Sequence, residues 1–261
     1  MAHYIELTPF DLGIATALIV IASAVSMLMR LGVTKSLIIA ASRCILQLGA
    51  IGIVLRQIFH VQSPFFVISW LLLMLLFAAR EATRRCSQKY QGIMQDSLLT
   101  MTASSVIAGG LVTQIIVRVE PWYDPQYVIP IFGMIFGNSL NGISLALDRL
   151  LDYAKTRSNE IELMLAFGAT QEEAIRDGAR AAVRAGMIPI INSMTVAGIV
   201  SLPGMMTGQI IAGAPPIQAV SYQIVIMFMI AASNALGSMT ITTLAGRRLV
   251  TRTGIRPWAS Q

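Results

Sequence analysis

The chain has 261 residues, 55% of them hydrophobic and only 12% charged, with a mean hydropathy of +0.69 and a formal net charge of +6. A soluble domain carries about 25% charged residues, so this composition excludes an ordinary soluble fold and predicts an all-α polytopic membrane protein. The basic balance fits anionic lipid headgroups and argues against a nucleic-acid role.

A span needs roughly 20 mostly apolar residues. In chain order the segments that qualify are about 8–29, 36–58, 64–80, 97–118, 127–148, 182–203 and 217–245. The count is therefore about seven, with six as the alternative because the third has a short apolar core. The first lacks a small-residue cleavage site and is read as a retained span. Lys and Arg cluster at 30–35, 80–89, 149–184 and 247–256, which fall on one side of seven spans. By the positive-inside rule the N-terminus is then outside and the C-terminus cytoplasmic. With no internal repeat or low-complexity tract, residues 1–261 are expected to form a single transmembrane domain.

In the second segment Arg43 and Gln47 share a face. Arg43 either snorkels to the cytoplasmic boundary or pairs with Asp148. In the fifth, Asn138 lies near the midplane with Asn141 one turn further along the same face. Polar groups in hydrocarbon face a bundle interior or a water-filled path, so both asparagines are candidates for a translocation path or for packing hydrogen bonds. Gly133 and Gly137 have the spacing that admits a close helix neighbour.

Residues 159–184 read as a charged hairpin between apolar segments. Asn159 with Glu162, and Thr170 with Glu173, each have capping-box spacing. Gly168 supplies a left-handed stop between a helix at about 160–167 and a second helix. Ile161, Met164 and Leu165 form an apolar face on the first helix, with Phe167 beside it. Arg176, Arg180 and Arg184 form a basic ridge on the second. The hairpin is either a docking element for a partner or a surface anchor on the bilayer.

The sixth segment places Asn192 and Thr195 on one face and Ser193, Ala197 and Ser201 on a small-residue stripe, with a bend expected at Pro189. Pro203, Gly204 and Pro215–Pro216 preclude one continuous helix between the last two segments. Residues 203–206, with Met205 and Met206, are a candidate outer gate on a re-entrant segment or an exposed loop. In the seventh, Gln223, Met227, Ile230 and Asn234 fall on one stripe that mixes amides with a thioether, as path lining or as packing.

Cys44 and Cys86 are too separated in role to pair, His3 and His60 are apart, and no Cys/His cluster has metal-ligand spacing. The ligands of any metal are left unassigned. A Walker phosphate loop, a metalloprotease helix and a nucleophile elbow are all missing, so the chain is not expected to be an enzyme. If ATP drives it, a separate polypeptide binds the ATP and Mg.

Glu162 followed by LMLAFGAT to Thr170 resembles the coupling loop of ABC permeases. VIPIFGMIFGNSLNG (128–142), ELMLAFGATQEEA (162–174), VSLPGMMTGQIIAG (200–213) and PIQAVSYQIVIMF (216–228) resemble the FetB-like permeases, linked to iron export in bacteria and aluminium tolerance in plants. The resemblance implies a homodimeric permease of the bacterial inner membrane. A cytoplasmic ATP-binding subunit would dock on Glu162, Leu165, Phe167, Gly168, Ala169 and Thr170, and iron or a related metal would be exported. Three rivals stay open: export of an organic solute such as a nucleotide sugar, a scaffold for an ATPase, and a sensor. The last segment has no lysine to hold retinal as a Schiff base.

Overall fold

The computed structural model describes residues 8–61, 63–251 and 254–255. His3 lies outside them. The chain divides into two compact units, residues 1–62 with 211–213, and 63–210 with 214–261.

The first unit is a helical hairpin of α1 (Pro9–Leu28) and α2 (Thr34–Val61). Thr8 caps α1, its hydroxyl accepting from the Asp11 amide while the Asp11 carboxylate accepts from the Thr8 amide at 2.8 Å. Pro9 sits at the first helical position, where its missing N–H costs nothing. The Thr34 hydroxyl donates to Ser26 Oγ at 2.9 Å and joins the two helices near the turn.

The second unit contains α3 (Pro64–Arg84), α4 (Ile93–Gly110), α5 (Pro125–Thr156), α6 (Ser158–Ala166), α7 (Gln171–Val196), α8 (Gly204–Ile211) and α9 (Pro216–Leu249). A π-helical turn, Leu111–Ile116, extends α4. A short antiparallel hairpin of β1 (Val250–Thr251) and β2 (Gly254–Ile255) follows α9 directly. Asp124 caps α5 by accepting from the Gln126 amide at 3.0 Å, again with proline at the first position. Helices α5, α7 and α9 pack on one another, α4 lies against α9, and α3 against α5.

Six helices among the described residues are long and apolar enough to cross a membrane: α1, α2, α3, α4 with its π-helical turn, α5 and α9. The third expected segment is a full span of 21 residues. The one that falls short is the sixth. Its helix, α7, starts at Gln171 and stops at Val196 rather than Pro203, and its N-terminal half carries the charges of the hairpin. The second hairpin helix and the sixth segment are thus one rod, continuous through Pro189. Residues 197–203 leave the helix, with Ile199 and Val200 strongly exposed.

The core of the second unit has two apolar layers. One gathers Leu147, Leu150, Leu151, Ala182, Ile241 and Leu249. The other gathers Ala108, Val112, Ile135, Ile190, Ile226 and Ile230. Burial of each such leucine, isoleucine or valine contributes about 1.5–3 kcal/mol where water is the reference. Inside a bilayer, close packing replaces that term.

Both cysteines are free. Cys86, just past α3, is buried and its thiol donates to the Ala82 carbonyl at 3.5 Å. Burial, reinforced by Asp148, pushes its pKa up to about 12. The thiol is therefore protonated at every physiological pH, and only the thiolate attacks electrophiles. Maleimide at pH 8 should leave Cys86 unmodified in the folded protein and label it on unfolding, as read by peptide mass spectrometry. Asp148 accepts from the Ser87 amide at 2.8 Å and the Ser87 hydroxyl at 2.7 Å.

Candidate functional site

The hairpin that follows α5 is built from three local devices. Arg157 breaks α5 from α6, with its guanidinium 5.6 Å above the Tyr153 ring and 2.8 Å from Glu160. Because α6 starts at Ser158, Asn159 falls inside the first turn and no side chain caps it. The expected Asn159–Glu162 capping box is therefore not formed. A capping residue needs extended backbone, and here the Arg157 carbonyl already accepts from the Ile161 amide at 3.0 Å.

The stop is as expected. Gly168 has φ +93°, its amide donates to the Leu165 carbonyl, and the Ala169 amide donates to the Met164 carbonyl, both at 3.0 Å. This is the Schellman pattern, which satisfies two carbonyls that the helix end would leave free. The Thr170–Glu173 capping box forms, with the Thr170 amide donating to Glu173 at 2.8 Å. Those backbone and hydroxyl donors hold the Glu173 carboxyl below its usual range. The cap is therefore complete at neutral pH and is lost as pH falls through that lowered value.

Which face of α6 is free differs from the periodicity. Ile161 is 1% exposed, and Met164 and Leu165 pack on the core. The outward surface is Leu163 at 57% and Phe167 at 84% exposure, beside Glu162, Ala166 and Gly168. Of the predicted coupling residues, Glu162, Phe167, Gly168 and Thr170 are exposed, whereas Leu165 and Ala169 are half-buried. Leu163 was missed because one turn of helix does not say which of two apolar edges the core takes. Strand β2 packs on α6, and a Cβ on Gly254 would come within 3.2 Å of Glu162 Oε1. Arg247 of α9 holds Glu172 of α7 at 2.9 Å.

Between the two apolar layers lies a layer of small and polar groups. The Ser139 and Ser233 hydroxyls are 2.9 Å apart and link α5 to α9. Gly142 faces the Asn234 amide and the Gly186 carbonyl, at 3.2 and 3.1 Å from where its Cβ would be. Asn234, 2% exposed, lies in this layer, whereas Gln223, 8% exposed, lies beyond Ile226 on the other side of the second apolar layer; the side-chain oxygens of both have no partner among the described residues. Met227 is half-buried beside Ile230. Asn234 and Gln223 can thus offer oxygen to a hard cation or accept from a hydroxyl.

The other path candidates are placed differently. Asn138 donates to the Met134 carbonyl of its own helix at 2.8 Å, and exposed Asn141 accepts from Arg85 at 2.7 Å. Asn192 is exposed, and Thr195 donates to the Ile191 carbonyl. The close approach expected at Gly133 and Gly137 occurs elsewhere: Gly137 faces open space and Gly133 meets only Met74, whereas Gly142 and Gly186 carry the crossing. Spacing within one helix does not reveal which face meets a neighbour.

After residue 203 the chain forms α8, in which Met206 is buried and Met205 half-buried. Pro203 precedes the helix, Gly204 opens it, and the Pro203 carbonyl accepts from the Thr207 amide at 3.1 Å. Met205, Gln209, Met134, Gln126, Tyr127 and Tyr222 are among the residues around a cavity of about 240 Å³. The buried Gln209 Oε1 has no partner among the described residues.

The model of the "Uncharacterised protein family (UPF0014)" matches residues 9–250. The chain belongs to the UPF0014 family. It is 39% identical over 244 residues to a UPF0014 membrane protein of Synechocystis sp., with 94% of each chain covered. It is 32% identical over 243 residues to the probable iron export permease protein FetB of Escherichia coli, covering 93% of this chain and 92% of that one. It is 33% identical over 235 residues to Protein ALUMINUM SENSITIVE 3 of Arabidopsis thaliana, covering 88% and 84%. No solved structure matches the chain. With six apolar helices of spanning length, this UPF0014 chain is an integral membrane protein.

The UPF0014 match takes in an ion pair that the sequence did not reveal. Asp96, with its side chain 3% exposed near the start of α4, accepts from Arg248 Nε at 2.8 Å and from the Tyr90 hydroxyl at 2.9 Å. Gly92 lies directly under the Arg248 guanidinium and leaves no room for a side chain. Residues 96 and 248 are distant in sequence, so only the α4–α9 packing pairs them. Arg248→Ala should lower stability by about 2–3 kcal/mol by leaving a buried carboxylate without its countercharge. Thermal unfolding in detergent should show partial recovery in the Asp96→Ala/Arg248→Ala double variant.

Proposed function

We propose that this chain is the membrane subunit of an ABC exporter that moves iron or a related metal out of the bacterial cytoplasm. A separate subunit binds ATP and Mg and docks on the 159–184 hairpin. Because β2 packs on α6, the hairpin and the C-terminal strands share one side, and their Lys and Arg assign that side to the cytoplasm; two copies enclose the path. The single observation behind this reading is the hairpin: a core-anchored helix whose outward Leu163 and Phe167 stand on the polar side of the bundle. An apolar pair fixed at such a position gains by entering a partner's groove. Membership of the family that includes the E. coli protein named a probable iron export permease supplies the cargo class.

In this reading, closure of the ATPase dimer pulls α6, and α7 carries the movement into the membrane as a continuous rod. The Arg247–Glu172 pair passes it to α9. Asn234 and Gln223 then offer unpaired oxygens to a passing cation, with weak binding that permits release. Residues Pro203, Gly204, Met205 and Met206 act at the outer gate.

The test is reconstitution of the chain with its ATPase in vesicles whose ATPase side faces the medium. Fe²⁺ and ATP in the medium should drive iron into the lumen, and Fe²⁺ should stimulate hydrolysis. Hydrolysis indifferent to iron and without iron uptake would overturn the metal cargo and send the search to organic solutes such as nucleotide sugars. Failure to bind any ATPase would overturn the permease assignment.

A further inference from the structure

A groove of about 770 Å³ runs between α7 and α9 at the end of the bundle that carries the hairpin. One wall bears Arg176, Arg180 and Arg184 at four-residue intervals, and Arg247 stands on the other. Between Glu172 and Arg184 the wall extends roughly 18 Å along α7. Its floor is apolar, formed by Ile175, Ala179, Val183 and Met239.

The cations of this groove exceed its acids. Among the described residues Glu172 is the one carboxylate in the lining, and it is held by Arg247 at 2.9 Å. Arg180 meets Asp177 only at 3.8 Å, with both side chains well exposed. The Glu173 carboxylate near Arg176 is committed to the Thr170 cap. Arg184 has no ion-pair partner among the described residues.

We propose that this groove binds the headgroup of an anionic phospholipid, with Arg176, Arg180 and Arg184 holding its phosphates and the apolar floor taking the start of an acyl chain. Guanidinium forks match phosphate oxygens in pairs, which a point charge does not. The groove is open along its side and leads from the charged half of α7 towards Met239, ten residues inside the end of α9. An amphiphile fits that course, polar at one end and apolar at the other. A compact soluble anion would leave the floor unfilled. Basic grooves between helices at the cytoplasmic end of a membrane bundle, where the proposed function puts this one, suit cardiolipin-type headgroups.

The test uses the purified full chain without its ATPase, so its result is independent of transport. Cardiolipin is titrated into the detergent-solubilised protein, and retained lipid is counted by native mass spectrometry. Wild type should bind saturably, and the triple variant Arg176→Gln/Arg180→Gln/Arg184→Gln should bind about 100-fold more weakly. Arg149→Gln, outside the groove, should bind as wild type does. Should the triple variant fail to fold, Arg184→Gln alone and the charge-preserving triple lysine variant carry the test, each expected to bind more weakly than wild type. Unchanged affinity in the folded variants would overturn the proposal. So would full displacement of cardiolipin by millimolar pyrophosphate, which marks a soluble anion site, or burial of the groove by a second copy, read as a disulfide between copies carrying Met239→Cys.

Discussion

Gly186→Val is expected to prevent the second unit from assembling. A Cβ at Gly186 would stand 2.5 Å from Ser238 Oγ, 2.7 Å from the Gly142 carbonyl and 3.1 Å from Ala146 Cβ. A hydroxyl can rotate away, but a backbone carbonyl in the middle of α5 cannot. Room for valine comes only from separating α5 and α7, which opens both apolar layers at once. Overpacking costs typically 1–3 kcal/mol where neighbours adjust, and a loss of at least about 3 kcal/mol is expected where they do not. The measurements are the yield of monodisperse protein in detergent and its unfolding temperature. Gly137→Ala is the control, since nothing lies within 4 Å of that position. A Gly186→Val protein with wild-type yield and unfolding temperature would show that the three helices do not cross there.

Gly168→Val acts through the opposite cause. Among the described residues nothing lies within 4 Å of where its Cβ would be, so space is not the difficulty. At φ +93° the backbone itself is strained for a β-branched residue, by about 1–3 kcal/mol. The strain is relieved by releasing the Gly168 and Ala169 amides from α6 and swinging Phe167 away from its position. Because the core does not depend on that turn, the membrane unit should keep its yield and unfolding temperature. Affinity for the ATP-binding subunit should fall by about 5- to 150-fold, the same strain expressed as binding. Asparagine, which tolerates left-handed backbone, should retain most of the affinity. A valine variant that binds the ATPase normally would remove this turn from the interface.

Much of the architecture was legible because it depends on local chemistry. Runs of apolar residues locate spans regardless of neighbours, and α1, α2, α4, α5 and α9 lie close to the expected segments. The Gly168 stop and the Thr170 cap are short-range hydrogen-bond patterns written in four or five residues. Where a cap competes with the preceding helix, as at Asn159, the same code misleads. The start of α6 at Ser158, directly after the break at Arg157, decided that position, not the local residues.

The candidate site was legible in kind and less so in detail. Polar residues in apolar segments drew attention to Gln223 and Asn234, and both are buried with oxygens that have no partner among the described residues. The same rule drew attention to Asn141 and Asn192, which are exposed in the single chain, because a helical stripe has no sign until a partner helix chooses a side.

Taken alone, the sequence determined membrane residence, the α-helical class, the family and the position of the hairpin, since these follow from composition, span length and contiguous motifs. Only the tertiary structure decided that α7 is one rod joining hairpin to membrane and that Leu163 and Phe167 face outward. It also decided that Gly142 and Gly186 form the crossing, that Arg248 finds Asp96, and that the arginine ridge faces α9 across a groove. Each of these depends on which faces of distant segments meet, and that is fixed by packing summed over several helices rather than by any one of them.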